Sequence, residues 1–280
     1  MLNIIKSDLY RLIRSKGLYI VIAIIILIAT ISVVSMSGLS IGFAVGNNMD
    51  SVGVEAMQEI SQAKSLGEHR SIMKNVGLSL GTIKVDKSIL KGNYNLYYFF
   101  IAFVVIIITK DFSSKTIKNT LTSAISRKKY YISKILLVLG ISTLLILFNN
   151  YFSYFLNLIV NGKEFASSIV EITKITLYQL PLLYGIICLL ACLAFMTRKT
   201  SIFNTVSIPF IMFFQLIATI IISIFKINGD WFTNYDFQWA MLKLANNPAN
   251  DYILKCGLLG LSYVVIFGLI GYYAFKKAEI

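Results

Sequence analysis

Charge is absent from six long stretches of the chain. Residues 17–49, 92–109, 135–162, 175–197, 200–225 and 256–275 hold no Asp, Glu, Lys or Arg, and each stretch has at least 18 residues. About 20 helical residues cross a hydrocarbon core of roughly 30 Å. The expected fold is therefore an all-α integral membrane protein forming a single transmembrane domain, 1–280. Its six transmembrane helices are expected at about 18–38, 93–109, 135–160, 175–197, 202–225 and 254–275. The first is read as an uncleaved anchor, because its apolar run from Leu18 to Val34 is longer than the roughly 7–15 residues of a signal-peptide core.

Composition agrees. The 280 residues are 57% hydrophobic and only 14% charged, against roughly 25% charged in soluble domains. Mean hydropathy is +0.75. The net charge of +13 would suggest nucleic acid in a soluble protein. In a membrane protein it reflects cytoplasmic Lys/Arg and anionic lipid.

Those charges also orient the chain. With the N-terminus inside, segments 1–17, 110–134, 198–199 and 276–280 carry 15 of the 26 Lys/Arg in 49 residues. The outer segments 50–91, 163–174 and 226–255 carry 11 in 84 residues. This asymmetry places both termini in the cytoplasm.

Residues 1–17 read as an interfacial amphipathic helix. Leu2, Ile5, Leu9, Leu12 and Ile13 form its apolar stripe, with Asn3, Ser7, Arg11, Arg14 and Ser15 opposite. Arg11 and Arg14, with Lys110, Lys128 and Lys129, are expected to anchor the chain to anionic lipid. An outer excursion covers 39–92. A second outer segment, 226–252, holds both tryptophans of the protein, Trp231 and Trp239, and is expected to form a short helix or re-entrant pair at headgroup level.

Amides punctuate the spans: Asn149, Asn150, Asn157, Gln179 and Gln215. They read either as bonds between helices or as candidates for lining a translocation path. No acid, base or His lies in the six charge-free stretches, so a buried proton relay has no obvious residues. Cys188 and Cys192 lack His or carboxylate neighbours and read as packing residues, not metal ligands. No phosphate-binding G-x-x-x-x-G-K-[ST] run is present, nor H-E-x-x-H. Together these features favour a conduit or gate over an enzyme.

The loop 110–134 carries the most specific pattern. Its basic ends, Lys110 and Arg127 to Lys129, suit lipid; its centre does not. Ile117, Leu121 and Ala124 recur at i, i+4 and i+7, flanked by Thr116, Asn119 and Thr120. A short helix with an apolar ridge and hydrogen-bonding shoulders fits a groove in a partner protein. Ser126 is the expected N-cap of the helix leading into span 3.

This run resembles the first cytoplasmic loop of permease subunits of type-2 ATP-binding-cassette exporters. That loop reads acid–aromatic, Gly-Thr, Leu, Pro-x-Ser-Arg, then Lys at the start of span 3. The matching residues are Asp111 and Phe112, Thr116, Leu121, Ser126 and Arg127, and Lys134. Lys115 and Ala124 replace the Gly and Pro, which favours a more continuous helix. The resemblance implies a type-2 ABC exporter-like fold with a coupling loop at 110–134, contacted at Asp111, Phe112, Thr116, Ile117, Asn119, Thr120, Leu121, Ala124, Ser126 and Arg127.

It further implies a cytoplasmic ABC ATPase partner that binds ATP and Mg, and a second permease, identical or homologous. This chain would itself hold no cofactor, bind no nucleic acid and catalyse no reaction. The expected setting is a bacterial cytoplasmic membrane, and the expected cargo is hydrophobic or amphipathic, such as a peptide or antibiotic. A stand-alone channel or sensor-partner protein is the alternative.

Overall fold

The computed structural model describes residues 2–46, 85–114, 116–118, 125–163, 166–226, 229–246 and 248–277. Among these residues there is no strand. The outer excursion therefore lies outside the described residues over 47–84.

Helix α1, Leu2–Ile13, ends where Ser15 Oγ donates to the Leu12 carbonyl, and the same hydroxyl accepts from the Leu18 amide of α2, Lys16–Gly46. One side chain thus closes α1 and starts α2. On α2, Val21, Ile25, Ala29 and Val33 are buried at four-residue spacing, while Ile20, Ile24, Leu27 and Ile31 are exposed. A helix apolar on both faces but buried on one is suited to lipid on the other.

Next comes a chain of short helical pieces. These are α3 (Val85–Lys91), a 3₁₀ turn (Gly92–Leu96), α4 (Tyr97–Val104), a π-helical turn (Val105–Thr109) and α5 (Lys110–Ser113). The run lies antiparallel against α6, Arg127–Val160. Asn93 meets Asn149 at one end, and Asp111 meets Tyr130 at the other. Ser126 caps α6 as expected, its hydroxyl accepting the Lys129 amide at 3.3 Å.

Helix α7, Ile169–Thr197, returns antiparallel to α6, with Thr143 bonded to Tyr184 and Tyr151 to Thr173. It ends at Arg198 in the left-handed region (φ 56°). Helix α8, Thr200–Phe225, follows, and the short helices α9 (Asp230–Tyr235) and α10 (Phe237–Leu244) form the 226–252 segment. Helix α11, Asn250–Lys276, completes the order.

The tightest helix pair is α7 with α11. A Cβ on Gly260 would lie 2.4 Å from the Pro181 carbonyl, and one on Gly271 would lie 3.1 Å from Cys192 Cα. The partners advance together along both chains, so the two helices are parallel. Helix α8 must therefore carry the chain back between them. Small residues allow this backbone approach, which is how helices associate where lipid offers no hydrophobic drive.

Among the described residues, four helices are long and apolar enough to cross a membrane: Lys16–Val34, Arg127–Val160, Ile169–Thr197 and Asn250–Lys276. Helix α8, bent by 50° between Phe214 and Leu216, makes five if counted as one span. These are the elements of a multi-pass membrane protein. The stretch expected as a span at 93–109 is not one regular helix, because 3₁₀ and π turns interrupt it.

Candidate functional site: a buried charge cluster at the basic end

The loop identified in the sequence opens on Asp111, and Asp111 is the centre of the most unusual chemistry in the structure. The π-helical turn Val105–Thr109 immediately precedes it. Such turns shift side-chain register within a helix and often mark functional sites. Asp111 is 4% exposed. Its Oδ1 accepts from Arg11 Nη1 of α1 at 2.5 Å, and its Oδ2 accepts from the Tyr130 hydroxyl of α6 at 2.7 Å. Lys134, one turn beyond Tyr130 and 1% exposed, ion-pairs with the same Oδ2.

Asp8 completes the group. It lies 2.7 Å from Lys134 Nζ and 3.2 Å from Arg11 Nη2. Two acids and two bases are thus gathered from three elements. Lys134 also sits 5.1 Å from the Tyr130 ring centre. Desolvating even one such charge costs several kcal/mol unless it is paired, so α1, α5 and α6 are bound to each other's presence.

Burial acts to raise the Asp111 carboxyl, but Lys134, Arg11 and the Tyr130 hydroxyl outweigh it and hold the carboxyl below its ordinary value. At Asp8 burial wins over Lys134, with the Asp111 charge adding to it, and the carboxyl is pushed up. Burial lowers Arg11, but the bond to Asp111 outweighs it and the guanidinium is raised. Asp111 is thus held as a carboxylate, and its ion pairs with Arg11 and Lys134 link α1, α5 and α6.

Around it the expected coupling residues are tied down. The Thr116 hydroxyl donates to the Asp111 carbonyl at 3.3 Å and reaches Oδ1 at 3.4 Å. Phe112 packs edge-on against Phe195 of α7 and Phe275 of α11, at 6.0 and 6.2 Å. Ile117 is buried in the main core. Arg127 donates to the Lys276 carbonyl at 2.7 Å, closing the C-terminus of α11. Asn119, Thr120, Leu121 and Ala124 lie outside the described residues.

The residues assigned to lipid divide. Lys110, Lys128, Lys129 and Arg14 are exposed, the last bonded to the Tyr10 hydroxyl at 2.8 Å. Arg11, expected among headgroups, instead turns inward to Asp111. Within the apolar stripe of α1, Leu12 is buried, whereas Leu9 and Ile13 are exposed. The side of α1 that meets protein is the one bearing Asp8, Arg11 and Leu12.

The amides gather at the other end of the bundle. Asn93 donates to Gln179 Oε1 at 2.8 Å and Asn149 donates to Asn93 at 3.3 Å. Asn150 donates to Thr176 at 2.9 Å. Gln179 donates to the carbonyls of Leu90 and Met241, at 3.1 and 3.2 Å. Asn157 is buried and accepts from Asn161 at 2.8 Å. The side chain of Gln215 is outside the described set. In this conformation the network joins α3, the 3₁₀ turn, α6, α7 and α10. Asn149, Asn150 and Gln179 bond between elements here, whereas Asn157 bonds Asn161 at the end of its own helix.

Beside this network an aromatic cleft of about 470 Å³ opens between α4, α7, α8, α10 and α11. Among the described residues no group of three or more His, Cys, Asp or Glu is placed to hold a metal.

Sequence reasoning did not place Asp8, Tyr130 and Lys134 in a shared site, although Lys134 belonged to the loop pattern. The signal was present in the spacing. Asp8 and Arg11 are i, i+3 on α1, and Tyr130 and Lys134 are i, i+4 on α6, so each pair shares a face. Compared with known proteins, the chain matches no family model and no curated sequence.

Proposed function

We propose that the chain is the transmembrane permease subunit of an ATP-driven exporter of the type-2 ATP-binding-cassette class, working with a separate cytoplasmic ATPase and a second permease. ATP hydrolysis belongs to the ATPase, and the cargo is hydrophobic or amphipathic. The observation that carries this reading is the position of Asp111. It stands at the head of the loop that resembles the family's coupling loop and is held at once by α1 and α6. Displacement of the Thr116–Leu121 segment would be passed through it to two helices.

In this reading the chain crosses the bacterial cytoplasmic membrane six times, with both termini inside. The α3–α5 run then counts as a span. Its 18-residue reach from Asn93 to Asp111 alongside α6 supports this, being about 27 Å at 1.5 Å per residue.

The test is co-purification. The solubilised protein is expected to bring down a cassette ATPase and stimulate its hydrolysis. Leu121→Asp and Arg127→Glu are expected to abolish that stimulation while leaving membrane insertion intact. Unchanged coupling in both variants contradicts the assignment.

A further inference from the structure

The aromatic cleft has an uneven chemistry. Its walls include Tyr98, Phe210, Phe214, Phe237 and Tyr263, with the Phe237 and Tyr263 rings 5.3 Å apart. Among the described lining residues there is no Lys or Arg, and Asp236 is the one carboxylate. It is 9% exposed, and one of its oxygens accepts the Gln238 amide at 3.2 Å. A backbone amide stabilises that charge without cancelling it. Burial pushes the carboxyl above its ordinary value, the response expected where no cation stands opposite. Aromatic faces are electronegative and attract cations, most strongly where water is excluded. Walls and carboxylate therefore favour the same kind of guest.

We propose that the cleft is a binding site for a lipophilic monocation, an organic ammonium or phosphonium ion whose apolar groups fill the aromatic walls while its charge faces Asp236. A lipid tail would use the walls alone and be indifferent to Asp236. The site is made by this chain, so it goes beyond the permease reading. Failure of cation binding leaves that reading standing, and failure to find an ATPase leaves this site standing.

The test uses the full-length protein in uncharged detergent, titrated with tetraphenylphosphonium and with its anionic counterpart of matched shape, tetraphenylborate. Binding is read by isothermal titration calorimetry, which needs no reporter group in the cleft. Phosphonium is expected to bind saturably and about tenfold more tightly than borate. Asp236→Asn keeps a competent helix cap and is expected to erase that preference. Asn95→Asp, adding a second carboxylate to the lining, is expected to enlarge it. Equal affinity for the two ions in the wild-type protein overturns the proposal, as does an undiminished preference in a folded Asp236→Asn. Should Asp236→Asn lose its helical circular-dichroism signal, Asn95→Asp decides, and an unchanged preference there overturns the proposal.

Discussion

Asp111 accepts the Arg11 guanidinium at 2.5 Å across 100 residues of sequence, tying the N-terminal helix to the head of the loop that resembles a coupling element. The same carboxylate is bonded to Tyr130 and paired with Lys134 on α6. A helix expected to float in the membrane interface is thereby fixed to the bundle.

Removing the charge at Asp111 should be costly. Asp111→Asn leaves Lys134 and Arg11 sharing Asp8 as the remaining anion of the cluster, and breaking a buried pair from one side costs about 3–5 kcal/mol. Thermal unfolding in detergent should show the loss. The double variant Asp111→Asn/Lys134→Met should recover part of it, because the stranded cation is gone.

The two acids of the cluster should respond to pH with opposite sign. Asp111 has a folded pKa below its unfolded value of 3.8. Its stabilising contribution is present above that value and is lost as pH falls through the folded pKa. Asp8 has a raised folded pKa, so the folded state holds its proton more tightly and the contribution of Asp8 improves as pH falls towards 3.8. Unfolding temperatures of Asp111→Asn and Asp8→Asn, each compared with wild type across acid pH, should therefore move in opposite senses: as pH falls, wild type loses stability relative to the first variant and gains it relative to the second. Parallel curves would show that the two carboxyls are not set apart as described.

Gly260→Ala should wedge α7 from α11. The added methyl meets the Pro181 carbonyl at 2.4 Å, and backbone cannot rotate aside. Overpacking of this kind costs about 1–3 kcal/mol. Gly257→Ala, where nothing lies within 4 Å, should be neutral or slightly stabilising. Comparison of the two unfolding midpoints isolates the contact from general helix propensity.

Gln179→Leu removes the centre of the amide network and leaves Asn93 and two carbonyls short of a partner. A loss of about 1–2 kcal/mol is expected, read as a lower unfolding midpoint. A neutral result would instead favour water or cargo at this position.

The apolar runs at α2, α6, α7 and α11 were legible in the sequence because a helix that excludes charge over 18 or more residues is one that water does not reach. Ser126 was legible as a cap from local chemistry alone. The pairing of Arg11 with the bundle was not legible. A helical wheel sorts apolar from polar, but on α1 the apolar stripe is split, with Leu12 buried and Leu9 and Ile13 exposed, and the charged side finds partners 100 or more positions away. The interruption of 93–109 was equally hidden. Composition reports that a segment is apolar, not where its backbone leaves the regular α-helix, as it does at Val105–Thr109.

The central claim, that a cytoplasmic ATPase docks on the 110–134 loop, is tested most directly by photo-crosslinking in cells. A benzophenone amino acid placed at Leu121 should capture a polypeptide carrying a phosphate-binding G-x-x-x-x-G-K-[ST] motif, and the same group at Trp239 should not. Capture of no ATP-binding polypeptide at Leu121, in protein shown to be inserted, would contradict the assignment.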